Sequence, residues 1–93
     1  MAGSFRIYKH KTSESLYLNL MGDFDGSAAS ELIQVLKDSA DTCFSVFVNT
    51  TGLRKIYPFG CEVMHMAETE LKKKGANILF VGRNISQLNF HAH

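Results

Sequence analysis

Two short apolar runs, each preceded by a longer amphipathic stretch, constrain this chain more than any other feature. Phe44-Ser45-Val46-Phe47-Val48 and Ile78-Leu79-Phe80-Val81 are rich in β-branched and aromatic residues and too short for helices, so both read as strands. Before the first run, Ala28, Ala29, Leu32, Val35 and Leu36 recur at helical spacing, with Glu31, Gln34, Lys37 and Asp38 opposite. Asp25 or Ser27 can cap that helix, which is expected to reach about Ser39. Before the second run, Gly60, Val63, Met64, Ala67 and Leu71 share one face, and Glu62, His65, Thr69 and Lys73 the other. This helix is expected over about Phe59 to Lys74, with Gly75 ending it.

Two alternating stretches open the chain: Phe5 to Lys11, led by Phe5 and Ile7, and Leu16 to Met21, with Leu16, Leu18 and Leu20. The short polar segment between them predicts an antiparallel hairpin. The expected order is therefore β-β-α-β-α-β. We expect one α/β domain over residues 1–93, its core within about 5–90, with a mixed four- or five-stranded sheet and its helices mainly on one face. The run at 44–48 is expected to be the central strand, covered on both sides. Ile85, Leu88 and Phe90 suggest at least one helical turn near the C-terminal end of the sequence.

The bulk properties exclude several classes of function. With 45% hydrophobic and 20% charged residues, 93 residues suit one folded core. The formal charge is +1, and apart from Lys72, Lys73 and Lys74 the basic residues are scattered, so no nucleic-acid partner is expected. No apolar stretch approaches the roughly 20 residues of a spanning helix, and Met1 to Lys11 lacks the apolar middle of a signal peptide; a cytoplasmic place without membrane insertion is expected.

Cys43 and Cys61 form no C-x-x-C pair and read as reduced, packed residues. Gly22, Gly26, Gly60 and Gly82 are dispersed and build no phosphate-binding loop. Cys61 and His65 stand four residues apart on a helix, but no third group orients them. His91 and His93, with His10, can bind a metal adventitiously; a frayed terminus is the simpler reading. No catalytic site, metal site or cofactor is therefore expected.

Three phrases carry a family resemblance. Gly22-Asp23-Phe24-Asp25 stands before the first helix, Val46-Phe47-Val48-Asn49-Thr50 covers the central strand, and Leu71 to Gly82 spans the second helix end and the following strand. With the element order, they resemble the STAS domain, the module named for sulfate transporters and anti-sigma-factor antagonists. Asn49 stands where that family has an aspartate. In the family's D-S-S-G-L phrase, whose serine beside the glycine is phosphorylated in the antagonists, this chain has Tyr57-Pro58-Phe59-Gly60-Cys61. Phe59 thus replaces the phosphorylated serine.

The resemblance implies a non-catalytic bacterial regulatory module that binds another protein, either an anti-sigma-factor-like kinase, a sigma-regulatory protein or a transporter component, or a second copy of itself. The residues suggest where. Tyr57, Pro58 and Phe59 are bulky where the family has small polar residues, and Met66 lies beside Phe59 on the helical projection, so these four are the candidate partner-binding residues. In the competing reading, Tyr57 and Phe59 turn inward and fill the core. A second functional reading is a small-ligand or nucleotide sensor, with a cleft near Asp23, Asp25, Asn49, Thr50 and Thr51. Asp23 and Asp25 read more simply as caps at the positive end of the helix.

Overall fold

In the structure, a computed structural model describing residues 4–39, 45–73, 75 and 77–82, six elements follow in the expected order: β1 (Phe5–Lys11), β2 (Ser15–Phe24), α1 (Gly26–Ser39), β3 (Ser45–Ile56), α2 (Pro58–Lys73) and β4 (Ile78–Val81). The four strands lie in the order β1-β2-β3-β4, with β1 antiparallel to β2 and the other two pairs parallel. The hairpin turn is held by Thr12, whose hydroxyl accepts from the Ser15 amide at 3.0 Å. Cys43, Phe44, Ile85, Leu88, Phe90, His91 and His93 lie outside the described residues.

One core holds the two layers together. Leu16, Leu18 and Leu20 of β2 and Val46 and Val48 of β3 are buried with Ala28, Ala29, Leu32 and Leu36 of α1 and Met64 and Leu71 of α2. The strand residues alternate and the helix residues recur every three or four, so both helices pack on the same sheet face, as expected. Each fully buried Leu or Met contributes roughly 1.5–3 kcal/mol of transfer free energy. β3 is an inner strand, but it is covered on one side rather than two. Val46 and Val48 are buried, whereas Phe47, pointing away from the helices, is half-buried.

Both parallel inner strands outrun their expected lengths. β2 continues through Gly22 and Asp23 to Phe24, and β3 continues from Asn49-Thr50-Thr51 to Ile56. Their pairing slips between Asn19 and Met21 and again between Gly22 and Asp23, with β3 supplying the extra residue each time. Such bulges let a strand absorb glycine and charged residues that an even alternation would reject. The slip also moves Leu53 into the core at 7% exposure, although Val46 and Val48 have the opposite parity.

The helix ends obey local chemistry. The Asp25 carboxylate accepts from the Ala28 amide at 2.9 Å and caps α1. Pro58 opens α2, where its missing amide proton costs nothing. Gly75, at φ 88°, receives the chain as α2 ends and donates to the Lys72 carbonyl at 3.0 Å. Glu68 is a buried acid that the helical pattern does not reveal. It lies 3.4 Å from the Lys72 ammonium, one turn later.

Candidate functional site

The start of α2 is fastened to the start of α1 by backbone contacts. The Tyr57 amide donates to the Phe24 carbonyl at 2.9 Å, tying the end of β3 to the end of β2. One turn later Gly60 is buried against the same corner. A Cβ there would lie 2.8 Å from the Asp25 carbonyl oxygen and 2.9 Å from that of Phe24, so no side chain fits without a backbone shift. Gly60 is thus the small residue that lets the two helix starts touch.

This fastening turns the neighbouring side chains outward. Phe59 is 66% exposed and Tyr57 41%, which decides against the reading in which they fill the core. The Phe59 ring is not loose, however. It lies over Gly26, where a Cβ would come within 2.7 Å of the ring. Two turns along, Met66 is 75% exposed on the same side of α2. Val63, half-buried, stands between them. Phe59, Val63 and Met66 therefore form an apolar ridge along α2.

Grooves flank this ridge. Toward α1, a shallow groove of about 480 Å³ runs beside Phe59 and Val63, with Asp25, Ser27 and Ser30 as its polar wall. A second, of about 470 Å³, continues past Met66 to Ile33 and Lys37. On the far side of α2, a groove of about 640 Å³ is lined by Ile56, Pro58, Cys61, His65 and Met66. Pro58 and Met66 thus border one open groove, while Phe59 and Met66 lie on the ridge between grooves. The site is an apolar strip with mixed charges at its rim, a surface suited to contact with another apolar surface.

The five residues of the suggested ligand cleft are engaged separately. Asp23 is buried and lies 3.2 Å from the Arg54 guanidinium. Asp25 caps α1. The Asn49 side-chain oxygen accepts from the Thr51 amide at 3.0 Å, and the buried Thr50 hydroxyl donates to the Val81 carbonyl at 3.2 Å. Thr51 is exposed. Of the five, Asp25 alone lines one of the grooves above.

Cys61 and His65 face the 640 Å³ groove together. Burial pushes the Cys61 thiol above its usual pKa, which favours the neutral thiol over the nucleophilic thiolate. Among the described residues no three His, Cys, Asp or Glu side chains gather to hold a metal ion. No helix among them is long and apolar enough to cross a membrane. Gly26 and Val63 also belong to this surface, and no local signal in the sequence marks them, because Gly26 meets Phe59 only through the fold.

No family model matches the sequence, and no curated protein matches it closely. Solved structures do match. The STAS domain of an anti-sigma-factor antagonist from Rhodobacter sphaeroides superposes with a TM-score of 0.68 at 13% identity, covering 86% of this chain and 88% of that one. The unphosphorylated anti-sigma factor antagonist SpoIIAA gives 0.65 at 13% identity, with 91% and 80% covered. The fold is STAS-like. The same STAS-like arrangement recurs inside a larger protein, Mglu, with a TM-score of 0.73 at 16% identity; this chain covers 82% of its own length there but 19% of that chain. Across the Mglu structures matched, that share is 19–28%.

Proposed function

We propose that this chain is a single-domain, non-catalytic regulatory module of the cytoplasm that binds another protein through Tyr57, Pro58, Phe59 and Met66. The observation that carries this reading is the exposed ridge: Phe59 and Met66 are 66% and 75% in solvent, two turns apart on a helix whose start is packed tightly at Gly60. An apolar anchor on a rigid support loses little entropy when it is covered. The similar anti-sigma-factor antagonists favour an anti-sigma-factor-like protein as the partner, ahead of a sigma-regulatory protein or a transporter component; a second copy is the alternative occupant.

In this reading the contact is constitutive at residue 59, because Phe59 has no hydroxyl to phosphorylate. Thr51 is the exposed hydroxyl of the Thr50-Thr51 pair, so a relocated switch would use it in preference to buried Thr50. The small-ligand reading has less support, since Asp23, Asp25, Asn49 and Thr50 already bond within the chain. Heat released on titrating nucleotides into the protein would favour it instead.

Phe59→Ser tests the proposal. Association, measured by self-association in sedimentation or with a partner cross-linked through position 59, weakens by at least about 1 kcal/mol, roughly fivefold. The denaturation midpoint moves little. Unchanged association with a large loss of stability overturns the proposal.

A further inference from the structure

The sheet face turned away from the helices carries apolar side chains that the α2 surface does not explain. Strand register sets them in rows. His10, Tyr17, Phe47 and Leu79 cross the four strands in one row, and Tyr8, Asn19, Asn49 and Val81 cross them in the next. Arg6, Met21 and Gly52 form a third, in which Met21 lies over Gly52 and leaves no room there for a Cβ. Tyr8, Tyr17, Met21, Leu79 and Val81 each keep 40–52% of their surface in solvent.

The charges on this face are placed to one side. β1 carries Arg6, Lys9 and Lys11, whereas β4, at the opposite edge, carries no charged residue. None of the three rows contains a carboxylate; Asp23, beyond them on β2, lies 3.2 Å from the Arg54 guanidinium. Nucleic-acid bases need open ring faces to stack on. Tyr17 and Phe47 instead stack on each other, with centroids 5.1 Å apart and planes 12° apart. A sheet accepts a second sheet about 10 Å away, with strands within about 30°, where the facing rows fit.

We infer that a second copy of this chain packs on this face, related by a two-fold axis that runs along the strands between β2 and β3. Such an axis keeps each row at its own height while it exchanges β2 with β3 and β1 with β4. Tyr17 then meets the second copy's Phe47, and His10 and Tyr8 meet its Leu79 and Val81. Asn19 meets the second copy's Asn49. The Asn49 side-chain oxygen already accepts from the Thr51 amide, so its amide nitrogen donates to the facing Asn19 oxygen and the covered amides are paired. The two cationic β1 strands fall on opposite edges of the sandwich. An axis across the strands would instead lay β1 on β1 and set each Arg6 near its like. The face measures roughly 19 by 17 Å, small beside the about 800 Å² that each partner gives to a standard interface. The dimer is therefore weak and reversible. It uses the layer opposite the proposed docking ridge, so either proposal can fail while the other stands.

Sedimentation and solution NMR on the full chain test it, at concentrations up to about 1 mM. A monomer in dilute solution and a dimer in concentrated solution are expected. The double variant Tyr17→Lys, Leu79→Lys weakens the dimer by at least about tenfold, with the thermal melt of the dilute protein in place, whereas Phe59→Ser leaves the dimer unchanged. In the concentrated sample the Tyr8 ring gives nuclear Overhauser contacts to the Leu79 or Val81 methyls, and these fade on dilution. Within one molecule those groups stand about 14 Å apart, three inter-strand spacings, beyond the reach of such a contact. The inference is overturned by a chain that stays monomeric throughout. It is equally overturned by a dimer that Phe59→Ser breaks and the double variant does not, or by a concentrated sample in which Tyr8 gives no contact to Leu79 or Val81.

Discussion

At the scale of the residue, the same side chain has two roles in this protein. Phe24 is fully buried and meets Phe5 edge to face at 6.0 Å, whereas Phe59 is largely in water over Gly26. Phe24→Ala is expected to cost about 3–5 kcal/mol in chemical denaturation, while Phe59→Ser should leave that measurement nearly unchanged. The sequence could not separate Phe59 outward from Phe59 inward, because the decision lies with Gly26 and Gly60, more than thirty residues apart in the chain. Cys61 gives a prediction in pH. Its folded-state pKa is raised by burial, so its contribution to stability is complete below the unfolded thiol's pKa and is lost as pH rises through the folded value. Denaturation midpoints measured into the alkaline range should fall less steeply for Cys61→Ala than for the parent chain.

At the scale of the element, helix ends were legible, as were the bounds of β1 and β4, whereas the far ends of β2 and β3 were not. Asp25, Pro58 and Gly75 act locally, through one hydrogen bond, one absent proton and one positive φ, so a single sequence contains the whole cause. Asp25→Ala should therefore lower stability by about 0.5–2 kcal/mol, visible as a reduced midpoint in a helix-sensitive melt. β3 was harder to read because Gly52, Arg54 and Lys55 lie within it, and the bulges that accommodate them exist only once β2 is alongside. The fastening of α2 was likewise hidden: Gly60 looked like one more small residue on a helix face. Gly60→Ala is expected to cost about 1–3 kcal/mol by forcing its Cβ against the Asp25 and Phe24 carbonyls. If the variant melts with the parent, the helix starts are less tightly joined than the structure indicates.

At the scale of the whole molecule, every strand among the described residues pairs with its neighbour in sequence, and both edges of the sheet they form are guarded. β1 carries Arg6, Lys9, His10 and Lys11, all exposed, and β4 is four residues long. Charge and brevity are the usual defences against edge-to-edge association. The layer order was legible from periodicity. The aromatic row on the far face was not, because Tyr17 and Phe47 become neighbours only through register.

The two slips of β3 against β2 give that strand something like a reading frame. Before them even-numbered residues face the core, and after the first an odd-numbered one, Leu53, does. A substitution in this stretch is a local misprint. Removing Gly52 would take out the extra residue of the first slip, so that Thr51 pairs with Met21, Leu53 still pairs with Gly22 and keeps its place in the core, and the bond between Tyr57 and Phe24 is undisturbed. Deletion of this one residue should therefore leave melting cooperative, whereas deletion of Phe47, in the evenly paired stretch, would put Val46 and Val48 on opposite faces and should abolish it. For this strand, tolerance to a deletion would follow whether it falls at a slip or in the even pairing.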